Sequence, residues 1–261
     1  MSILTSVKGG KIAIDLQRPE DYTKTVLKKH EDLKGISPGK FKNVPPVVWF
    51  GDVEDERDRV LVISANPHNP EKCIESAKYW NDEEINKDYS SYAGELIRDY
   101  NNYFCGVYSK KWFNGIEAFL NGLDASFFDK KYKHQAIHID LLPFATEKHF
   151  KKIADNLMAI EELPEWIDKH IRELINLINP KLIIINGKTN FKYFNQCVNL
   201  GAQPYKVSNY SVENKSEITI WKSCNKPLIA TSVNLGNNIY SYSELQSVAE
   251  KLKGKLNFYI L

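Results

Sequence analysis

The chain contains 261 residues, of which 43% are hydrophobic and 26% are charged, a composition that matches an ordinary soluble globular protein. Its apolar stretches are far shorter than the ~20 residues that a membrane helix needs, and residues 1–10 lack the basic start and apolar centre of a secretory signal. We therefore expect a cytoplasmic protein, and the net charge of +2 makes only a weak case for a polyanionic partner.

Lysines occur in clusters, which leaves two interpretations open. They are either solvated surface charges or, if they converge in space, a face that follows a phosphate backbone. The clusters are Lys28-Lys29, Lys110-Lys111, Lys130-Lys131 with Lys133, and Lys148 with Lys151-Lys152.

The four cysteines are scattered along the chain. None forms a C-x-x-C pair, and none has a histidine at the spacing of a zinc site. We expect reduced, partly buried thiols and no metal site.

Residues 1–55 are expected to form an N-terminal extension that packs on the main domain. A helix is predicted from Pro19 to about residue 33, and Pro38-Gly39 and Pro45-Pro46 then break the chain. Residues 47–50 are a candidate strand. The acidic turn at 52–58 leads from it into the next strand, so we predict a hairpin that feeds the main sheet.

The main domain, residues 56–261, alternates strands with helices. Residues 60–64 are an apolar, largely β-branched run that predicts a strand buried on both faces. Because helices separate most of the strands, we predict one α/β domain with a largely parallel sheet. The other predicted strands are 136–142, 180–187, 205–212, 217–222 and 227–231, and the predicted helices are 92–104, 110–123, 164–178, 190–198 and 242–252.

Four of these strands end in polar residues. Asn and Asp often end strands because their side chains bond to their own backbone in turns, so each one alone is a weak signal. In a parallel sheet, however, the carboxyl ends share one edge, where ligands bind. We therefore predict one site there, built from Asn66-Pro67-His68, Asp140-Leu-Leu-Pro143, Asn186-Gly187-Lys188 and Ser232-Val-Asn234.

In these motifs the chain resembles the uracil-DNA glycosylase superfamily, nearest to its mismatch-specific and single-strand-selective monofunctional branches. The resemblance covers roughly residues 58–250. It implies a three-layer α/β/α sandwich with a central, mostly parallel sheet. It also implies hydrolysis of an N-glycosidic bond in DNA after base flipping, without a metal or organic cofactor.

The resemblance assigns roles residue by residue. Asn66 matches the residue that positions water, and Asp140 falls where the family has an Asn that reads the base. The family His of the last motif is absent, so Ser232 or Asn234 would have to support the departing base. The further expected contacts are His68 with water or phosphate, Pro67, Tyr79, Trp80 and Phe144 with the base, and Lys148, Lys151, Lys152, Lys188, Leu235 (as the wedge) and Asn237 with DNA.

Asp140 indicates the substrate. A protonated carboxyl offers one donor and one acceptor, which complement the N3 acceptor and the amino donor of cytosine. Burial would raise the pKa of this carboxyl and keep it neutral. Since a cell cannot tolerate removal of its own cytosine, we expect a modified cytosine of bacteriophage DNA, such as glucosylated hydroxymethylcytosine, as the target of an antiviral glycosylase.

Other interpretations stay open at the level of the sequence. Asp140 could be a helix-capping or turn-stabilising residue. The protein could also be a uracil or damaged-base repair glycosylase in which Asp140 is out of register with the family motif. A non-catalytic DNA-binding relative would explain the absent His. A hydrolase of free nucleosides or nucleotides is favoured if the lysines scatter.

Overall fold

The computed structural model describes most of the chain. The described residues are 6–7, 10–11, 19–67, 69–72, 74–80, 89–105, 112–199, 205–212, 216–222, 227–231, 234–237 and 240–260.

A seven-stranded sheet lies at the centre, in the order β4-β5-β3-β6-β9-β8-β7. The five strands from β4 to β9 are parallel, and β8 and β7 continue the sheet in antiparallel pairing. A short hairpin, β1–β2, stands apart from this sheet. The strands are β1 Ser6–Val7, β2 Gly10–Lys11, β3 Asp58–Ser64, β4 Ala125–Ser126, β5 His134–Asp140, β6 Leu182–Ile185, β7 Tyr205–Val212, β8 Ser216–Lys222 and β9 Pro227–Thr231.

Helices cover both faces of the sheet, and the predicted three-layer α/β/α sandwich is confirmed. One pair of helices, α3 and α7, packs together, as does a second pair, α5 and α6. The helices are α1 Pro19–Ile36, α2 Tyr89–Asn102, α3 Phe113–Gly122, α4 Phe150–Met158, α5 Leu163–Ile178, α6 Lys188–Cys197 and α7 Tyr242–Ile260. No helix among the described residues has the length and apolarity required to cross a membrane.

The core lies on both sides of β3. Residues 60–64 are buried throughout, as the apolar run predicts, because β5 and β6 flank the strand and helices cover it. The side chains of Val26, Leu27 and Leu33 on α1 belong to the same buried cluster as the sheet. The N-terminal helix thus contributes to the main core.

The predicted hairpin between residues 47–50 and β3 is wrong. Phe50 instead pairs with His138 of β5 in an isolated antiparallel bridge, and the Val47 N–H donates to the Pro143 carbonyl at 2.8 Å. Both edges of β3 are already occupied by β5 and β6, so no position beside β3 is open. The segment therefore runs along the free edge of β5, beyond the short β4.

One helix was missed. The sequence from Phe150 to Met158 forms α4, whose buried residues Phe150, Ala154 and Leu157 recur at helical spacing. This periodicity was a usable signal. Lys151 and Lys152 lie between these apolar residues and make the segment also fit a charged loop.

Candidate active site at the carboxyl ends of the parallel strands

Three polar side chains stand side by side where the central strands end. Ser64 of β3 is in register with Asp140 of β5. Asn186 follows β6 and donates its N–H to the Ile63 carbonyl at 2.9 Å, which places it beside Ser64 on the other flank. Laterally paired residues point to the same face of a sheet. Asp140, Ser64 and Asn186 thus form a row on one face, here called the strand-end row.

Asp140 is buried, and its carboxyl accepts no hydrogen bond from the part of the chain that the structure describes. Its side chain is only 3% exposed, and no described residue donates a hydrogen bond to its carboxyl. Burial disfavours the charged form and raises the pKa of Asp140 to about 8. The neighbouring Ser64 hydroxyl is also buried and has no hydrogen-bond partner among the described residues. This end of the row therefore holds two polar groups that a ligand could satisfy.

His138 precedes Asp140 by two residues and shares its face of β5. The rings of Phe50, Trp112 and Phe113 surround it, and burial lowers the pKa of His138 to about 3. Its Nε2 lies 3.7 Å from Asp140 Oδ1, which is too long for a hydrogen bond. Since both groups are neutral at pH 7, this contact is not an ion pair.

Asn66 is held by the loop that follows β5. The Thr146 hydroxyl donates to the Lys148 carbonyl at 2.6 Å, so its oxygen is left to accept from Asn66 Nδ2 at 3.0 Å. The Phe144 carbonyl lies 3.4 Å from the same nitrogen. These contacts identify which end of the amide is nitrogen. Among the described residues none donates a hydrogen bond to Asn66 Oδ1, so this end of the amide is available to accept from a water molecule.

Asn186 links the row to the turn after β9. Its Nδ2 donates to Asn234 Oδ1 at 3.1 Å, and its Oδ1 accepts from the Leu235 N–H at 2.8 Å. Asn234 is partly exposed. The sheet thus ends in a connected pair of amides beside Ser64, on the flank of β3 opposite to Asp140.

Close packing against α3 puts this turn on the same face as Asp140. A methyl group on Gly236 would lie 2.6 Å from Trp112 Nε1, and one on Gly115 would lie 2.0 Å from the Leu235 carbonyl oxygen. The Trp112 ring also contacts His138, at 5.6 Å between centroids. Trp112 therefore touches both the turn that carries Asn234 and the strand that carries Asp140.

The expected DNA-binding lysines lie at this end of the sheet. Lys148 is in the loop after β5, Lys151 and Lys152 are in the first turn of α4, and Lys188 opens α6 directly after β6; all four are exposed. The cluster at residues 130–133 precedes β5 and lies at the opposite end. Lys110-Lys111 lie outside the described residues.

Two expected contacts do not hold in this structure. Phe144 is fully buried between His30 and Trp166, which stack on it at 5.2 Å each, so neither ring face is open to a base. Leu235, the expected wedge, is 2% exposed and packs into the core. An apolar residue in a tight turn is stabilised by burial, and here α3 provides the cover.

Other predicted residues are placed less directly or not at all. Trp80 is half-buried beside His30 and Tyr92 and donates its indole N–H to Asn43 at 3.1 Å. Pro67 is buried in the turn after β3. His68, Ser232 and the side chains of Tyr79 and Asn237 lie outside the described residues.

A cleft of about 220 Å³ lies elsewhere, between α1 and α5. It is lined by Tyr22, Lys28, Lys29, Trp166 and His170, among others, and by none of the predicted site residues. Both faces of the Trp166 ring are covered, by Phe144 and His170, so no base can stack there.

Comparison with known protein families and with curated protein sequences finds no match to this chain. Functional inference therefore depends on the geometry of the strand-end row and its neighbours.

Proposed function

We propose that this protein is a monofunctional DNA glycosylase that removes a flipped, modified cytosine, such as glucosylated hydroxymethylcytosine in bacteriophage DNA, and that it acts in antiviral defence. The observation that carries the proposal is the carboxyl of Asp140. It is buried and unpaired among the described residues, it stands at the end of the sheet where ligands bind in this class of fold, and its burial raises its pKa to about 8.

A neutral Asp140 complements a cytosine-type base. Its O–H donates to N3 and its carbonyl oxygen accepts from the amino group. Uracil presents a donor at N3 and an acceptor at O4, so it pairs with the same carboxyl only when the proton sits on the other oxygen; discrimination against uracil therefore requires that the site hold the proton on the oxygen that faces N3. A buried unpaired polar group costs about 1–3 kcal/mol, which supplies the discrimination.

The hydrolysis needs an oriented water rather than a strong base. Asn66, fixed by Thr146, accepts a hydrogen bond from the water through its Oδ1. The water oxygen bonds to C1′ of an oxocarbenium-like sugar as the N1–C1′ bond breaks. The electron pair of the N1–C1′ bond leaves with the base, and the water proton passes to solvent or to the released base. No metal or organic cofactor takes part in these steps.

Phosphate contacts keep the flipped nucleotide in register. Lys148, Lys151, Lys152 and Lys188 stand at the end of the sheet that carries Asp140 and Asn66. This common placement favours a DNA substrate over a free nucleoside, which would need no such surface.

The test uses the purified full chain and matched oligonucleotides that contain uracil, cytosine, hydroxymethylcytosine or glucosylated hydroxymethylcytosine. Abasic sites are scored by alkaline strand cleavage. We expect release of a modified cytosine and intact uracil DNA. Release of uracil alone would favour a repair glycosylase and remove the argument from Asp140. Binding of the oligonucleotides without release of any base would favour a non-catalytic DNA-binding protein.

A further inference from the structure

The orientation of the buried Asn186 amide is fixed by the backbone. A backbone N–H can only donate, and that of Leu235 lies 2.8 Å from one end of the amide, which is therefore Oδ1. The opposite end, 3.1 Å from Asn234, is then Nδ2, a donor. Asn186 is fully buried, so no water replaces these partners.

The orientation of Asn234 follows from the same reasoning. Its side-chain oxygen accepts from Asn186 Nδ2 at 3.1 Å and from the Gly236 N–H at 2.9 Å. With the oxygen held by two donors, the NH₂ group faces away from the buried pair. Among the described residues, none accepts a hydrogen bond from it, and the residue is partly exposed.

We infer that Asn186 is a positioning residue that presents the Asn234 NH₂ group to the O2 atom of the departing pyrimidine. The inference deepens, and rests on, the proposed glycosylase function. When the N1–C1′ bond breaks, its electron pair stays on the base and negative charge builds on O2. Asn234 stabilises that charge by donating a hydrogen bond and keeps its own protons. A donor already aimed at developing charge contributes about 10²–10³-fold in rate in other enzymes.

Asn186→Leu tests this arrangement because it keeps a similar volume and removes both hydrogen bonds of the amide. Without the Nδ2 donor, Asn234 Oδ1 keeps only the Gly236 N–H, and the direction of the Asn234 NH₂ group is no longer fixed. We expect the single-turnover rate on an oligonucleotide containing glucosylated hydroxymethylcytosine to fall at least tenfold. In an Asn234→Ala background, the same substitution should change the rate by less than twofold, because the group it orients is gone.

Asn234→Asp is the second variant, at a less buried position. Its oxygens still accept from Asn186 and Gly236, but no donor remains for the base, so we expect the rate to match that of Asn234→Ala. The matched control is Asn190→Ala, which removes a 2.6 Å hydrogen bond to the Asn186 carbonyl and leaves both amides in place. Its rate should stay within threefold of that of the unsubstituted protein.

Several results would overturn the inference. A folded Asn186→Leu protein with full activity would do so, as would an equal loss in the Asn234→Ala background, or full activity of Asn234→Asp. If the unsubstituted protein releases no base, the proposed function fails, and side-chain amide exchange by NMR still decides the orientation. We expect the Asn186 NH₂ protons to be protected and the Asn234 NH₂ protons to exchange. The reverse pattern would contradict the proposed orientation of the two amides.

Discussion

At the scale of single residues, Asp140 is defined by what surrounds it. The aromatic rings around His138 and the core beneath β5 exclude water, and no described residue supplies a donor to stabilise a carboxylate. A carboxyl in such a place stays protonated to a pH well above its usual range. The rate of base release should therefore depend on the protonation state of Asp140.

The first prediction concerns the pH dependence of base release. Because the pKa of Asp140 is raised to about 8, the neutral carboxyl is present below that pH and is lost as the pH rises through it. We expect the single-turnover rate on modified cytosine to hold between pH 6.5 and 7.5 and to fall about tenfold per pH unit above pH 8. Asp140→Asn should lose this decline, release uracil in preference to cytosine bases, and keep that preference across the range. An identical alkaline decline in Asp140→Asn would assign the titration to another group.

The second prediction concerns Thr146, which determines the orientation of the Asn66 side-chain amide. Thr146→Val keeps the shape of the side chain but removes the oxygen that accepts from Asn66 Nδ2 at 3.0 Å. The amide can then rotate, so we expect kcat to fall about tenfold or more while KM changes little. Thr146→Ser keeps the hydroxyl and should restore most of the rate. Equal activity of the Val and Ser variants would show that the Thr146 hydroxyl does not determine the orientation of Asn66.

At the scale of elements, the contact between α3 and the turn after β9 positions Asn234. This contact depends on Gly115, because a methyl group there would lie 2.0 Å from a backbone oxygen of Leu235, which cannot move without the turn. The same turn also carries the Leu235 N–H that orients Asn186. Helix packing and amide geometry are therefore coupled at this point.

The third prediction follows from that coupling. Gly115→Ala should lower the free energy of unfolding by about 1–3 kcal/mol through overpacking, and it should lower base release as the turn shifts. Gly94→Ala is the matched control, since it lies on the exposed side of α2 with nothing within 4 Å of an added methyl group. That change should stabilise the protein by up to about 1 kcal/mol through helix propensity. Urea denaturation of both variants decides between these outcomes, and unchanged stability of Gly115→Ala would contradict the packing argument.

The elements could be predicted from the sequence where local chemistry decides them. The β-branched run at residues 60–64 and the polar residues that end the strands identified the sheet and the edge that holds Asp140, Asn66 and Asn186. The hairpin at residues 47–50 failed because strand pairing depends on which edges the rest of the fold leaves open. No local pattern contains that information.

The parts of the site that were missed depend on contacts between distant residues. Thr146 meets Asn66 across 80 positions, and nothing around Thr146 marks it as different from any loop threonine. Leu235 illustrates the converse case. A leucine in a turn of small residues is equally compatible with a DNA wedge and with a core position. Here it is a core residue because α3 covers it.

At the scale of the whole molecule, three buried titratable groups shape the dependence of stability on pH. Burial lowers the pKa values of His138 and His170 to about 3 and raises that of Asp140 to about 8. His170 is held by a hydrogen bond with the Tyr22 hydroxyl and stacks on Trp166. Each group stays neutral in the fold under conditions in which it would be charged in the unfolded chain.

The signs of these effects differ. A histidine with a lowered pKa withholds a proton that the unfolded chain takes up below pH 6.5, so stability falls as the pH drops from 6.5 toward 3. An aspartic acid with a raised pKa keeps a proton that the unfolded chain has released above about pH 4, so its contribution is lost as the pH rises toward 8. Between pH 4 and 6.5 the two histidines outweigh the one carboxyl, and above pH 6.5 only the carboxyl acts.

The fourth prediction is therefore a maximum of stability near pH 6.5, measured as the free energy of unfolding in urea from pH 4 to 9. Between pH 6.5 and 8 the decline due to Asp140 amounts to about 2 kcal/mol, at about 1.4 kcal/mol per pH unit. Asp140→Asn should remove that decline and steepen the fall on the acid side, because the two histidines then act unopposed, whereas Asp32→Asn, at an exposed position on α1, should reproduce the profile of the unsubstituted protein. If Asp140→Asn keeps the alkaline decline, the carboxyl is ionised in the folded protein at neutral pH, and a neutral Asp140 can no longer be the group that distinguishes cytosine from uracil.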